Sequence, residues 1–141
     1  MRTIKFRGRG VEGSYKGVWG YGDLDRQNMW RKGFCTIWLE DKFYGSGFSV
    51  DPETVGQFTG LFDKNGTEIY EGDIIESGKG IRHLVRFCPE QGRFDCTLTR
   101  YVGDQDFDRT ERCELSQRWI DEFGKTVIGN IYDNPELIKR H

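Results

Sequence analysis

The sequence predicts a mainly β fold, and three observations carry that expectation. The 141 residues include 19 Gly but only 3 Pro, a balance that suits many tight turns rather than a Pro-rich tail. Short β-branched and aromatic runs recur between Gly, Asn and Asp, as strands recur between turns. Aromatics make up 14% of the chain, whereas disordered segments are poor in them. One folded domain of ordinary size, or two very small ones, fits this length.

The elements follow in order. Ile4 and Phe6 alternate with Thr3, Lys5, Arg7 and Arg9, which puts the cations on one face of a first strand. Val18 to Gly22 reads as a second strand, with Trp19 and Tyr21 on one face and glycines on the other. Phe34–Leu39 and Ser46–Val50 are further strands, and Asp51-Pro52-Glu53 ends the second of these. Phe58–Phe62 and Thr67–Tyr70 flank Asp63-Lys64-Asn65-Gly66, a turn in which Asp bonds downstream amides and Asn-Gly tolerates positive φ. A hairpin is predicted there. Glu71-Gly72-Asp73 turns the chain into Ile74–Glu76, Ser77–Gly80 turns it into Ile81–Phe87, and Gln91-Gly92-Arg93 connects to Phe94–Tyr101. Together these describe an antiparallel meander. Residues 103–109 are polar and read as an exposed loop. Leu115, Trp119 and Phe123, spaced i, i+4, i+8 with Ile120 beside them and Gly124 beyond, predict one short helix near residues 115–123. Thr126–Tyr132 is a last strand, and the segment from Asp133 through Asn134 and Pro135 to Leu137 is a turn.

Charge and cysteine content narrow the function classes. Net charge is −2, so a global basic excess for nucleic acid is absent. Residues 1–32 nevertheless hold 8 Lys/Arg against 3 Asp/Glu, and the remainder 13 against 20, giving +5 and −7. No apolar run approaches the ~20 residues of a membrane span. The N-terminal residues lack an apolar h-region, so no secretory signal is expected and a cytoplasmic location with reduced thiols is. Cys35, Cys88, Cys96 and Cys113 show no CxxC spacing, and the only histidines are His83 and His141. Spacing therefore predicts neither a metal site nor a cofactor.

Two dense blocks carry a family resemblance. Gly56-Gln57-Phe58-Thr59-Gly60-Leu61, Asp63-Lys64-Asn65-Gly66 and Glu68-Ile69-Tyr70-Glu71-Gly72-Asp73-Ile74 form the first. The second runs from Val127 through Ile128-Gly129-Asn130 to Asn134-Pro135-Glu136-Leu137. Both resemble the YopX family of phage and prophage proteins, as do Ile4-Lys5-Phe6-Arg7 and Trp19-Gly20-Tyr21-Gly22. Residues 100–113 depart from that pattern. The resemblance implies a phage or prophage origin in a bacterial host. It also implies a single domain, with an N-terminal aromatic-rich β layer over about 1–53 and an SH3-like, partly open barrel over about 54–141. It supplies no catalytic mechanism. The motif residues Asp63, Asn65, Gly66, Gly72, Asp73, Gly129, Asn134 and Pro135 are turn residues by type.

Each chemical candidate has a plainer competitor. Asp63-Lys64-Asn65-Gly66 fails as a calcium loop, because Gly comes fourth and Ile74 stands where the bidentate Glu belongs. Glu71 and Asp73 could do acid–base work, but a turn with Asp73 bonding local amides explains them. Gly-rich pieces such as Gly78-Lys79-Gly80 lack a P-loop frame. His83 and Cys88 are five residues apart on one strand, hence on opposite faces, which leaves a nucleophile without its base. The sharpest remaining candidate is a nucleic-acid-binding face of Lys5, Arg7 and Arg9 with Trp19 and Tyr21, aided by Arg2, Trp30 and Trp38. Packing of those aromatics into a core competes with it. The favoured expectation is a non-enzymatic interaction protein that binds a protein partner or itself. A nucleic-acid-binding β module is the alternative, and a metal-dependent enzyme ranks last.

Overall fold

A computed structural model describes residues 3–28, 32–40, 46–78, 80–99 and 112–138. The chain divides into two compact units, Met1–Phe58 and Thr59–His141.

The first unit is an antiparallel layer. Its strands are β1 (Phe6–Arg9), β2 (Trp19–Asp25), β3 (Cys35–Leu39) and β4 (Gly47–Val50), and each pairs with the next. β5 (Gly56–Phe62) begins in this unit and pairs with the other edge of β1. Ile37, Phe48 and Val50 form the core, with Phe6, Leu24 and Leu39 packed on it. Between β4 and β5, Pro52–Thr54 makes one 3-10 turn whose N-cap Asp51 accepts from the Glu53 amide at 3.0 Å.

In the second unit, the later part of β5 joins β6 (Glu68–Tyr70) through the predicted hairpin. A five-stranded antiparallel sheet follows: β7 (Asp73–Glu76), β8 (Arg82–Cys88), β9 (Arg93–Thr99), β10 (Arg112–Glu114) and β11 (Thr126–Asn130), in the order β10-β9-β8-β7-β11. The meander is present, but among the described residues the sheet is open, with β10 and β11 at its edges. The mainly β class is as expected, and the described strands form two antiparallel sheets with no closed barrel.

This sheet is buried on both faces. Ile75, Val85 and Cys96 pack with Ile69, Leu115 and Ile120 on one side, while Ile74 and Leu84 meet Ile138 on the other. Consecutive buried positions therefore run through His83, Leu84 and Val85, where alternation with solvent would leave one face wet.

The helix α1 spans Gln117–Phe123. Ser116 Oγ caps it by accepting from the Trp119 amide at 3.2 Å, and Gly124 ends it in the left-handed region at φ 59°. Its buried residue is Ile120, and Phe123 is 57% exposed. Leu115, just before the helix, and Trp119 pack with Ile120 on the core as the spacing predicts, and Phe123 is the member of the row that stays exposed.

Candidate functional site

The predicted turn residues sit where their chemistry requires. Asp63 is buried, and its Oδ1 accepts from the amides of Asn65 (2.8 Å) and Thr67 (2.9 Å) while Oδ2 accepts from Val127 (2.9 Å). Gly66 takes φ 84° to close this turn, a region that costs little without a Cβ. Asp73, also buried, accepts from the Tyr70 amide at 2.7 Å, and Gly72 precedes it with φ 94°. A Cβ on Gly129 would stand 2.5 Å from Asn134 Oδ1, which accepts from the Asn130 amide; Pro135 opens the 3-10 turn that follows. All of them shape the backbone.

The register of β1 and β2 does bring the basic and aromatic residues together. Arg7 lies opposite Tyr21 and Arg9 opposite Trp19, so the four share one face. Their exposure differs from residue to residue. Arg7 is 5% exposed, with its guanidinium carbon 4.8 Å from the Trp19 ring centre. Lys5 pairs with Glu40 at 3.0 Å and lies 5.4 Å from the Phe58 ring. Tyr21 is exposed. Arg2 and Trp30 lie outside the described residues, as does the loop predicted over 103–109.

A different cluster forms in the second unit. On β8 and β9, Val85 lies opposite Cys96, and on β9 and β10, Cys96 lies opposite Cys113. His83 is two residues from Val85, hence on the same face. Across β7, Ile75 lies opposite both His83 and Val127, and Lys125 sits two residues before Val127. The pairing thus gathers His83, Cys96, Cys113 and Lys125. Lys125 is further pinned by its backbone: its amide donates to Ile120 O at 3.0 Å, and its carbonyl accepts from the Lys64 amide at 2.9 Å.

The distances are those of interacting groups. Cys113 Sγ is 3.6 Å from His83 Nε2, and Lys125 Nζ is 3.4 Å from His83 Nδ1. Trp119 meets the His83 ring edge-on at 5.1 Å and lies 4.8 Å from Lys125 Nζ. Burial drives the electrostatics. It depresses His83 to about 4, with help from the Lys125 charge, so the imidazole is neutral at ordinary pH. It also lowers Lys125, against the raising influence of Cys96, Cys113 and Glu76. The Cys96 thiol is pushed up, mainly by burial and then by Cys113 and Asp95. Beside these groups lies a cleft of about 690 Å³, lined by His83, Cys113, Trp119, Lys125 and the exposed Ile81 and Phe123 among others.

The family model described as YopX protein matches residues 16–139, which include both dense motif blocks. The chain belongs to the YopX family. No curated protein matches it. Among solved structures, this YopX chain is similar to the crystal structure of protein EF1440 from Enterococcus faecalis. The two are 23% identical with a TM-score of 0.53, covering 99% of this chain and 100% of the other. That likeness concerns the fold. Among the described residues of this YopX protein, no helix is long and apolar enough to cross a membrane.

Proposed function

We propose that this YopX chain is a non-enzymatic interaction protein of phage or prophage origin, acting in the cytoplasm of a bacterial host. Its partner is a protein or a second copy of itself, bound at the cleft of the second unit. The observation that carries the reading is the lining of that cleft. Ile81 and Phe123 are 45% and 57% exposed there, beside Trp119, while His83 and Lys125 are buried. Exposed apolar and aromatic side chains next to convergent polar groups are what a binding site presents.

A photoreactive phenylalanine analogue at position 123 tests it, with the same analogue at Phe87, which is exposed but not among the cleft-lining residues. In the host, position 123 should give a discrete cross-linked species that Ile81→Ser abolishes. No adduct, or equal adducts from both positions, would overturn the proposal.

A second reading, nucleic-acid binding, is favoured by the shared face of Arg7, Arg9, Trp19 and the exposed Tyr21. It predicts that single-stranded oligonucleotides bind with steep salt dependence and that Arg9→Glu weakens binding. Fluorescence anisotropy at low salt showing no binding at ~100 μM protein would remove it, since non-specific affinities register at such concentrations.

A further inference from the structure

We propose that His83, Cys96 and Cys113 form a binding site for one Zn²⁺ ion, held by His83 Nε2 and the two Sγ atoms, with a fourth coordination position facing the cleft. The three ligand atoms lie within 4.8 Å of one another, and Cys113 Sγ is already 3.6 Å from His83 Nε2. Tetrahedral zinc with Zn–S near 2.3 Å and Zn–N near 2.0–2.1 Å sets neighbouring ligand atoms about 3.5–3.8 Å apart. The cluster therefore needs a contraction of about an ångström at most.

Donor chemistry selects the metal. Two thiolates and one imidazole suit zinc, whereas magnesium and calcium want oxygen. The scaffold suits it as well. The three donors come from β8, β9 and β10, adjacent strands of one paired sheet, so their separations are set by register rather than by loops. His83 and Cys96 are buried, and His83 and Cys113 line the cleft. Among the described residues the cluster offers three such donors, the number found where zinc keeps an open position. Water, or a donor group from whatever enters the cleft, completes the tetrahedron.

Lys125 is compatible with the ion. Binding displaces both thiol protons to solvent, and two thiolates neutralise Zn²⁺, so the lysine faces no net added charge. With Nε2 on the metal, the ring proton sits on Nδ1, 3.4 Å from Lys125 Nζ.

The test uses the full chain, stripped with chelator, kept reduced with a phosphine, and titrated with Co²⁺ as a coloured stand-in for zinc. One equivalent should bring up thiolate-to-cobalt charge-transfer absorption together with the strong visible bands of four-coordinate cobalt, and Zn²⁺ should bleach both. Cys113→Ser should weaken metal binding more than about tenfold, the loss that removing even an outer hydrogen-bond partner of a ligand causes. Cys88→Ser, at a buried cysteine outside the cluster, should leave the titration unchanged. If circular dichroism shows Cys113→Ser unfolded, His83→Gln takes its place. Absence of charge-transfer bands in the wild type would overturn the site, as would bands that survive these ligand substitutions or vanish with Cys88→Ser.

Discussion

Among the described residues, each unit buries a cation against a tryptophan, and the two pairs differ in what their cation can do. Arg7 lies 4.8 Å from Trp19 in the first unit, and Lys125 lies 4.8 Å from Trp119 in the second; they are 5% and 3% exposed. A guanidinium keeps its proton in any protein environment, so Arg7 is a fixed charge around which the β1–β2 face packs. An ammonium yields its proton under burial, and Lys125 faces an imidazole and, through it, two thiols. The same cation–π pairing is thus an anchor in one unit and part of an adjustable centre in the other. The neighbours decide which.

The largest way to break this contrast is through pH. In the folded chain His83 stays neutral down to about pH 4, while the unfolded chain takes up that proton near 6.5. Between these values the unfolded state binds more protons, so stability falls as pH falls. The contribution is complete above pH 6.5 and about 3 kcal/mol smaller by pH 4. Urea denaturation of reduced, chelator-treated protein should show this slope, and His83→Gln should remove it. Identical slopes for both proteins would mean that His83 is not held neutral by Lys125 and its buried surroundings.

The second prediction sharpens the contrast from the other side. Arg7→Met should cost about 2 kcal/mol, the scale of a desolvated cation–π contact. Lys125→Met should stay within about 1 kcal/mol, because an apolar side chain replaces a buried charge at little cost. Equal losses would make both cations anchors. An exposed strand face would have predicted almost no effect at Arg7, and its burial reverses that expectation.

A smaller effect concerns what positions Lys125. Gly66→Val should destabilise by roughly 1–2 kcal/mol, since Gly66 has φ 84° with open space around it and backbone strain alone opposes a Cβ. The Asp63 turn also binds the Lys125 carbonyl and the Val127 amide, so straining it should loosen amide protection at residues 125–127. A neutral thermal shift would mean that this turn does not hold β11.

Strands and turns were legible in the sequence because Asp63, Gly66, Gly72 and Asp73 act within a few residues of themselves. The cluster was not, because it depends on register. The β8–β9 turn occupies residues 89–92, with Cys88 opposite Arg93 and the Gly92 amide donating to Cys88 O at 2.9 Å. The predicted strand ends, Phe87 and Phe94, are the observed pair, so Val85 opposite Cys96 was within reach of the sequence, whereas the pairing of Cys96 with Cys113 was not. Cys113 is further removed, since the charged stretch 100–111 separates it from β9 and offers no periodicity to fix the pairing. His83 was weighed against its neighbour in sequence, Cys88, when its neighbour in space is Cys113. The signal that was available is the run His83-Leu84-Val85. A polar residue inside three consecutive buried positions requires a partner.

The most direct test of the buried, adjustable centre is an NMR titration of the imidazole resonances in reduced, chelator-treated protein. The chain has two histidines, His83 and His141, and His83→Gln assigns them. One resonance, absent from His83→Gln, should titrate near 4, and Lys125→Met should move its midpoint upward by removing the second of its two depressing causes. Titration of His83 near the ordinary 6.5, unmoved by Lys125→Met, would contradict the account.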